Sequence, residues 1–268
     1  MKGGAWVVAT AVAALVIAPR GAAGQVGMDG SLGSRVAAVE NGMVRFSYAT
    51  RPEVEICDQG IRMGDRHMSW RSRGHDDEPR NCRVGLAEVE VEVRGGLVRD
   101  IEVVRSVDER SSGVVDMGEI GAREASSYLL SLAYTGATTD GAEEAVFPAM
   151  LADVDDVWRE LLDIARDRAV HESVRKNALF WLGQEAAAAA GEGLVEVALD
   201  SDEEQEVRDS AIFSLSQRPA HESVPVLMEV ARSGEQVETR RTAMFWLAQS
   251  DDERVVAFFE ELLLGRIR

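Results

Sequence analysis

Few residues in this chain are nucleophilic, acid–base or metal-ligating candidates. Two His-Glu pairs stand out, His171-Glu172 and His221-Glu222, because imidazole and carboxylate groups repeated along a fold can hold metal ions. Such pairs must sit at equivalent helical positions in order to converge. These do not: His171 precedes the helix that carries Val174, whereas His221 precedes the other helix of a later unit, and the matching positions hold Lys176-Asn177, Asp209-Ser210 and Arg241-Thr242. Glu172 and Glu222 read instead as helix-start acids, with Ser173 and Ser223 as capping hydroxyls. Ser173-Val174-Arg175-Lys176 has the S-x-x-K spacing of a nucleophilic serine with a lysine one turn on, but no S-D-N or K-T-G companion is present and Lys176 is the last lysine. Ser173 as an N-cap explains the same residues. No G-x-S-x-G, P-loop or dinucleotide glycine pattern occurs. The chain is therefore read as non-enzymatic and without a cofactor.

Cys57 and Cys82 flank a loop that also holds His67 and His75. Two thiols and two imidazoles are the ligand set of a structural zinc site, though the spacing matches no C-x2-C or H-x3-H arrangement. The favoured expectation is a Cys57–Cys82 disulfide, restricting the unfolded chain by about 3–4 kcal/mol. That choice depends on compartment, and the N-terminus supplies one. Lys2, the apolar run Ala5 to Ala18 and the small residues Gly21-Ala22-Ala23-Gly24 have the layout of a secretory signal. The apolar run is shorter than the roughly 20 residues a bilayer span needs. We expect residues 1–24 to be removed and the mature chain to be periplasmic or extracellular, where cysteine pairs oxidise, without membrane insertion.

Charge narrows the partners. The chain carries a formal charge of −18, and past Lys2 its only lysine is Lys176. Affinity for nucleic acid and anionic lipid comes from Lys and Arg neutralising phosphates, so both are excluded as expected partners.

Two kinds of periodicity divide the roughly 240 residues that remain. Residues 25–34 are Gly-rich and aperiodic, expected to be a flexible leader. Residues 35–115 read as a small β-rich domain. Val44, Phe46 and Tyr48 alternate with polar residues, and in Leu86 to Arg94 the apolar Ala87, Val89, Val91 and Val93 alternate with Glu88, Glu90 and Glu92. Gly95-Gly96 then supplies the positive φ of a tight turn, so Leu97 to Arg105 should return antiparallel, giving a sheet with one charged, solvated face. The loop from His67 to Asp77 is polar and expected to be mobile.

From 121 to 268 the period becomes helical and then repeats. Val174-Arg175-Lys176-Asn177-Ala178-Leu179-Phe180-Trp181-Leu182 recurs as Val207 to Leu215 and as Thr239 to Leu247. A second apolar helix recurs between these copies, at Leu161 to Arg166, Leu194 to Ala198 and Val226 to Arg232. A period in the low thirties with two helices per unit predicts a solenoid. Ala145-Val146-Phe147 falls one period earlier, in a unit whose helix Pro148 should bend or shorten.

The pattern Val-Arg-x-x-Ala-x-x-x-Leu, opening a helix after the acidic turn Asp200 to Glu206, resembles HEAT repeats of the short bacterial kind related to phycobilisome lyases, over about residues 141–268. The resemblance implies a right-handed α-α solenoid and a role as a scaffold binding a protein or extended peptide; with the small antiparallel β domain read from the alternation, the fold class expected is α+β. One HEAT-like family, the deoxyhypusine hydroxylases, places two irons on repeated His-Glu pairs, a pattern the positions above do not meet.

On the motif helices Val174, Ala178, Trp181 and Leu182 share the core side at 100° per residue. Away from it a polar–Phe–Gln ladder recurs: Asn177, Phe180 and Gln184; Ser210, Phe213 and Gln217; Thr242, Phe245 and Gln249. One reading makes this a binding strip, with rings for apolar side chains and amides for a peptide backbone. The other packs the phenylalanines repeat against repeat. The alternative function is an exported metal-binding protein or enzyme using the Cys57–Cys82 loop and its histidines.

Overall fold

The computed structural model describes residues 30–58, 60–63, 66–68, 81–106, 110–185 and 187–264. The expected signal segment 1–24 and most of the loop holding His75 lie outside the described residues.

The alternating run 86–94 forms β6 (Leu86–Arg94), and Gly95 and Gly96, at φ 61° and 74°, turn it into the antiparallel β7 (Leu97–Val103). β1 (Asn41–Ala49) pairs antiparallel with the other side of β6. β8 (Val115–Glu119) then lies parallel to β1, so the sheet is mixed, in the order β7-β6-β1-β8. The cause is topological: β7 and β8 occupy opposite edges, and the chain between them must cross the sheet.

That crossing corrects the expectation of a solvated face. Glu88 and Glu90 are 8% and 4% exposed. Arg110, from the crossing segment, pairs with Glu88 at 2.5 Å, and Arg45 pairs with Glu90 at 2.5 Å. The Ser111 N–H also donates to Glu90 at 3.0 Å. Burial pushes the Glu90 carboxyl up, yet the hydrogen bonds from Ser111 and Arg45 and the charge of Arg45 outweigh it and hold the group below its ordinary range.

A second sheet of β2 (Val54–Cys57), β3 (Gly60–Met63), β4 (Arg66–Met68) and β5 (Arg83–Val84) has the order β4-β3-β2-β5. Cys57 and Cys82 are joined in a disulfide, which ties the end of β2 to the residue before β5.

The expected flexible leader is corrected only at its last residues, since 25–29 lie outside the described residues. Its last residues open α1 (Leu32–Ala37), capped by Ser31. Leu32 and Val36, one turn apart, are buried, and the Leu32 N–H donates to Glu124 Oε1 at 2.6 Å. An apolar pair at i, i+4 suffices to dock so short a helix, which composition alone does not reveal.

The helical part comprises α2 (Ala122–Ser131), α3 (Thr139–Leu151), α4 (Val157–Arg166), α5 (Glu172–Gln184), α6 (Ala188–Leu199), α7 (Gln205–Ser216), α8 (Ala220–Ser233), α9 (Val237–Leu247) and α10 (Glu253–Leu263). Helices α3, α5, α7 and α9 pack in succession as one layer; α2, α4, α6, α8 and α10 form the other. The motif explains the spacing of the first layer. Ala178, Ala211 and Ala243 are fully buried, and a Cβ on Gly183 would lie 2.7 Å from the carbonyl oxygen of Ser214, so α5 and α7 touch backbone to backbone. Pro148 does not shorten its helix: α3 and α5 both span 13 residues. Proline forfeits one N–H, and its carbonyl accepts the buried Tyr48 hydroxyl at 2.6 Å, which pins α3 to β1. One apolar cluster runs without a break from Val44 and Phe46 through Leu129 and Met150 to Phe258.

Candidate functional site

Helices α5, α7 and α9 repeat the same flank, and the rings on it form a row. Phe180 and Phe213 stack with centroids 6.4 Å apart and planes 14° apart. Phe213 lies 5.0 Å from Trp246, which lies 5.1 Å from Phe245. At the other end Phe180 meets Trp181 edge-on at 5.1 Å, and Trp181 stacks on Phe147 of α3 at 4.9 Å. Phe180 and Phe213 are half-buried, and Phe245 is 56% exposed. The rings pack repeat on repeat, as the second sequence reading has it, and remain part-exposed to solvent. Phe147 precedes Phe180 by the same interval that separates Phe180 from Phe213, so the sequence already held the signal that extends the row.

The polar members divide. Asn177 Nδ2 donates to the main-chain carbonyl of Glu143 at 2.7 Å, and Thr242 Oγ1 donates to Asp209 Oδ1 at 2.8 Å; each stitches one motif helix to the one before it. The Ser210 hydroxyl donates to Glu206 in its own helix at 3.0 Å. Gln184 has a partner already. Gln217 and Gln249 are exposed, and Gln217 Nε2 donates to the Ser216 hydroxyl at 3.1 Å. The arginine of the motif, to which the sequence reading gave no role, is structural. Arg175 is 2% exposed; it donates to the Ala165 carbonyl at 3.0 Å and pairs with Glu203 in the acidic turn of the next repeat. Arg208 repeats the arrangement with Gln236.

The Phe180 end of the row opens into a cleft of about 520 Å³. Its walls come from both halves of the molecule: Ile61 of β3, Ile101 and Val103 of β7, Phe147 and Pro148 of α3, Phe180 and Trp181 of α5, with Glu102, Arg105, Glu143 and Glu144 at the polar side. The Glu144 carboxyl is pushed up to about 7, by burial first, then by its hydrogen bond to Asp100 and the charges of Asp100 and Asp140, against the pull of the Ile101 N–H.

The other chemistry-bearing residues are dispersed. His171, rather than Ser173, caps α5, accepting the Ser173 N–H at 3.3 Å, with the Ser173 hydroxyl 2.7 Å from the same ring nitrogen. Ser223 is buried inside α8 and caps nothing there. Lys176 pairs with Glu172 at 2.7 Å. His221 lies at the start of α8, in the opposite layer from His171. Glu55, Cys57 and Cys82 come close enough to hold a metal, but with the two sulfurs bonded to each other neither is the thiolate that zinc requires. His75 lies outside the described residues.

Two antiparallel layers of stacked helix pairs define an α-solenoid. Within it, residues 191–266 match the family model of HEAT repeats. No curated protein matches the chain.

Proposed function

We propose that this protein is an exported, non-enzymatic scaffold that binds a protein or extended peptide along the outer flank of its motif helices. The observation that carries the reading is the aromatic row, continuous over α5, α7 and α9, part-exposed at Phe180, Phe213 and Phe245 and ending in a cleft. Rigid aromatic anchors beside a concavity are the usual source of interface energy. Export is supported by the layout of residues 1–24 and by the disulfide, which suits an oxidising compartment. Among the described residues no helix is long and apolar enough to cross a membrane. A non-enzymatic role is supported by His171, Ser173 and Lys176 being engaged in capping and ion pairing.

The test is selection of a randomised peptide display library on residues 25–268, followed by affinity measurement on a Phe213→Ser, Phe245→Ser variant. Enriched sequences that bind the wild type and lose roughly ten-fold or more on the variant are expected. No enrichment, or equal binding to both proteins, would overturn the reading. Export is checked by recovering the full chain from a bacterial periplasm with Gln25 as its first residue; an uncleaved cytoplasmic product would refute it.

A further inference from the structure

The cleft has one wall that no helix supplies. β7 is the outermost strand of its sheet, and an edge strand carries backbone groups with no strand to pair with. The Val104 N–H donates to the Glu88 carbonyl at 2.8 Å, and Val103 stands opposite Val89. Since bonded and non-bonded pairs alternate along an antiparallel ladder, Glu102 and Asp100 bond toward β6, while Ile101 and Val103 turn their N–H and C=O outward. Part of that outer edge is taken. Val98 exchanges bonds of 2.8 Å with Gly136 and Thr138, and the Ile101 N–H donates to Glu144 Oε2 at 2.9 Å. By the same alternation the Ile101 carbonyl and both polar groups of the Val103 backbone turn outward, at residues that line the cleft.

The charge on this edge is unbalanced. Asp100 stands opposite Glu92 and Glu102 opposite Glu90, and like charges directly opposite destabilise a sheet. Arg45 answers Glu90, but no described cation pairs with Glu102, and Arg105 at the cleft is already engaged. Glu143 and Glu144 add carboxylates from α3.

We propose that the cleft takes an extended segment of another protein, alternating apolar and basic residues, as an added strand on the outer edge of β7. This rests on the binding role above and names its ligand. Alternate side chains of an added strand fall on opposite faces of the sheet. One set continues the face of Ile101 and Val103 and meets Phe147 and Phe180; the other continues the face of Asp100 and Glu102, where Arg or Lys supplies the missing cations.

The experiment is fluorescence anisotropy on residues 25–268 with short, end-capped, labelled peptides: valine alternating with arginine, the same composition in two blocks, and two forms of the alternating peptide N-methylated at either the odd or the even amides. The alternating peptide should bind roughly ten-fold tighter than the block peptide, one N-methylated form should lose about ten-fold while the other does not, and Glu102→Arg, which relieves the repulsion from Glu90, should weaken binding by a similar factor while melting no lower than the wild type. Equal affinity for the alternating and block peptides, or for the two N-methylated forms, would overturn edge pairing and leave only attraction of a basic chain to an acidic protein. If that happens while library-selected ligands still fail on the Phe213→Ser, Phe245→Ser variant, the aromatic row stands alone as the binding surface. If neither peptide set binds, both proposals fall.

Discussion

Replacing Phe213 by Ala measures how far the aromatic row is part of the fold. Its ring lies between Phe180, at 6.4 Å, and Trp246, at 5.0 Å, and is half-buried. A fully buried Phe cut back to Ala costs about 3–5 kcal/mol, and for a ring buried only in part the expected loss is lower, about 2 kcal/mol. In a chain of this size that lowers Tm by about 4–8 °C. Trp246→Ala, combined with Phe213→Ala in a double-mutant cycle, should return a coupling of about 0.5–1.5 kcal/mol from the ring contact itself. Phe245→Ala, at 56% exposed and with Trp246 as its ring neighbour, should cost less than about 1 kcal/mol. Urea and thermal unfolding followed by far-ultraviolet circular dichroism read all of these. A Phe213→Ala change below about 0.5 kcal/mol, within the range of ordinary surface substitutions, would refute the packing argument. A loss beyond about 4 kcal/mol would place the ring in the core and retire the exposed strip.

Two further outcomes test the geometry around the row and the cleft. Gly183→Ala should destabilise by about 1–3 kcal/mol despite alanine's better helix propensity, because its Cβ would stand 2.7 Å from a backbone oxygen of α7; a variant as stable as wild type would mean α5 and α7 sit further apart. For Glu144, the native state holds its proton up to about 7 against an ordinary 4.5, so its contribution to stability is greatest below 4.5 and is lost as pH rises through about 7. Glu144→Gln keeps an acceptor for the Ile101 N–H and removes the repulsion from Asp100 and Asp140, so its Tm relative to wild type should rise between pH 5 and pH 8. A difference that does not change with pH would show that these carboxylates do not crowd one another.

Local periodicity carries much of this fold in the residue order alone. Two adjacent glycines set the β6–β7 turn, since positive φ there is a property of the residues themselves. The recurrence of Ala178, Ala211 and Ala243 marked the helix faces that meet, because a solenoid repeats its contacts with its period. Alternation in β6 identified Ala87, Val89, Val91 and Val93 as the core side, but not what covers the other. The fold settles that, by bringing Arg110 and Ser111 over Glu88 and Glu90. It likewise turned Asn177 and Thr242 into inter-repeat ties rather than free groups, and docked Leu32 where composition suggested a loose leader. The cleft was least legible of all. Its lining runs from Ile61 to Trp181, and periodicity states which side of an element is buried without stating which distant element will lie against it.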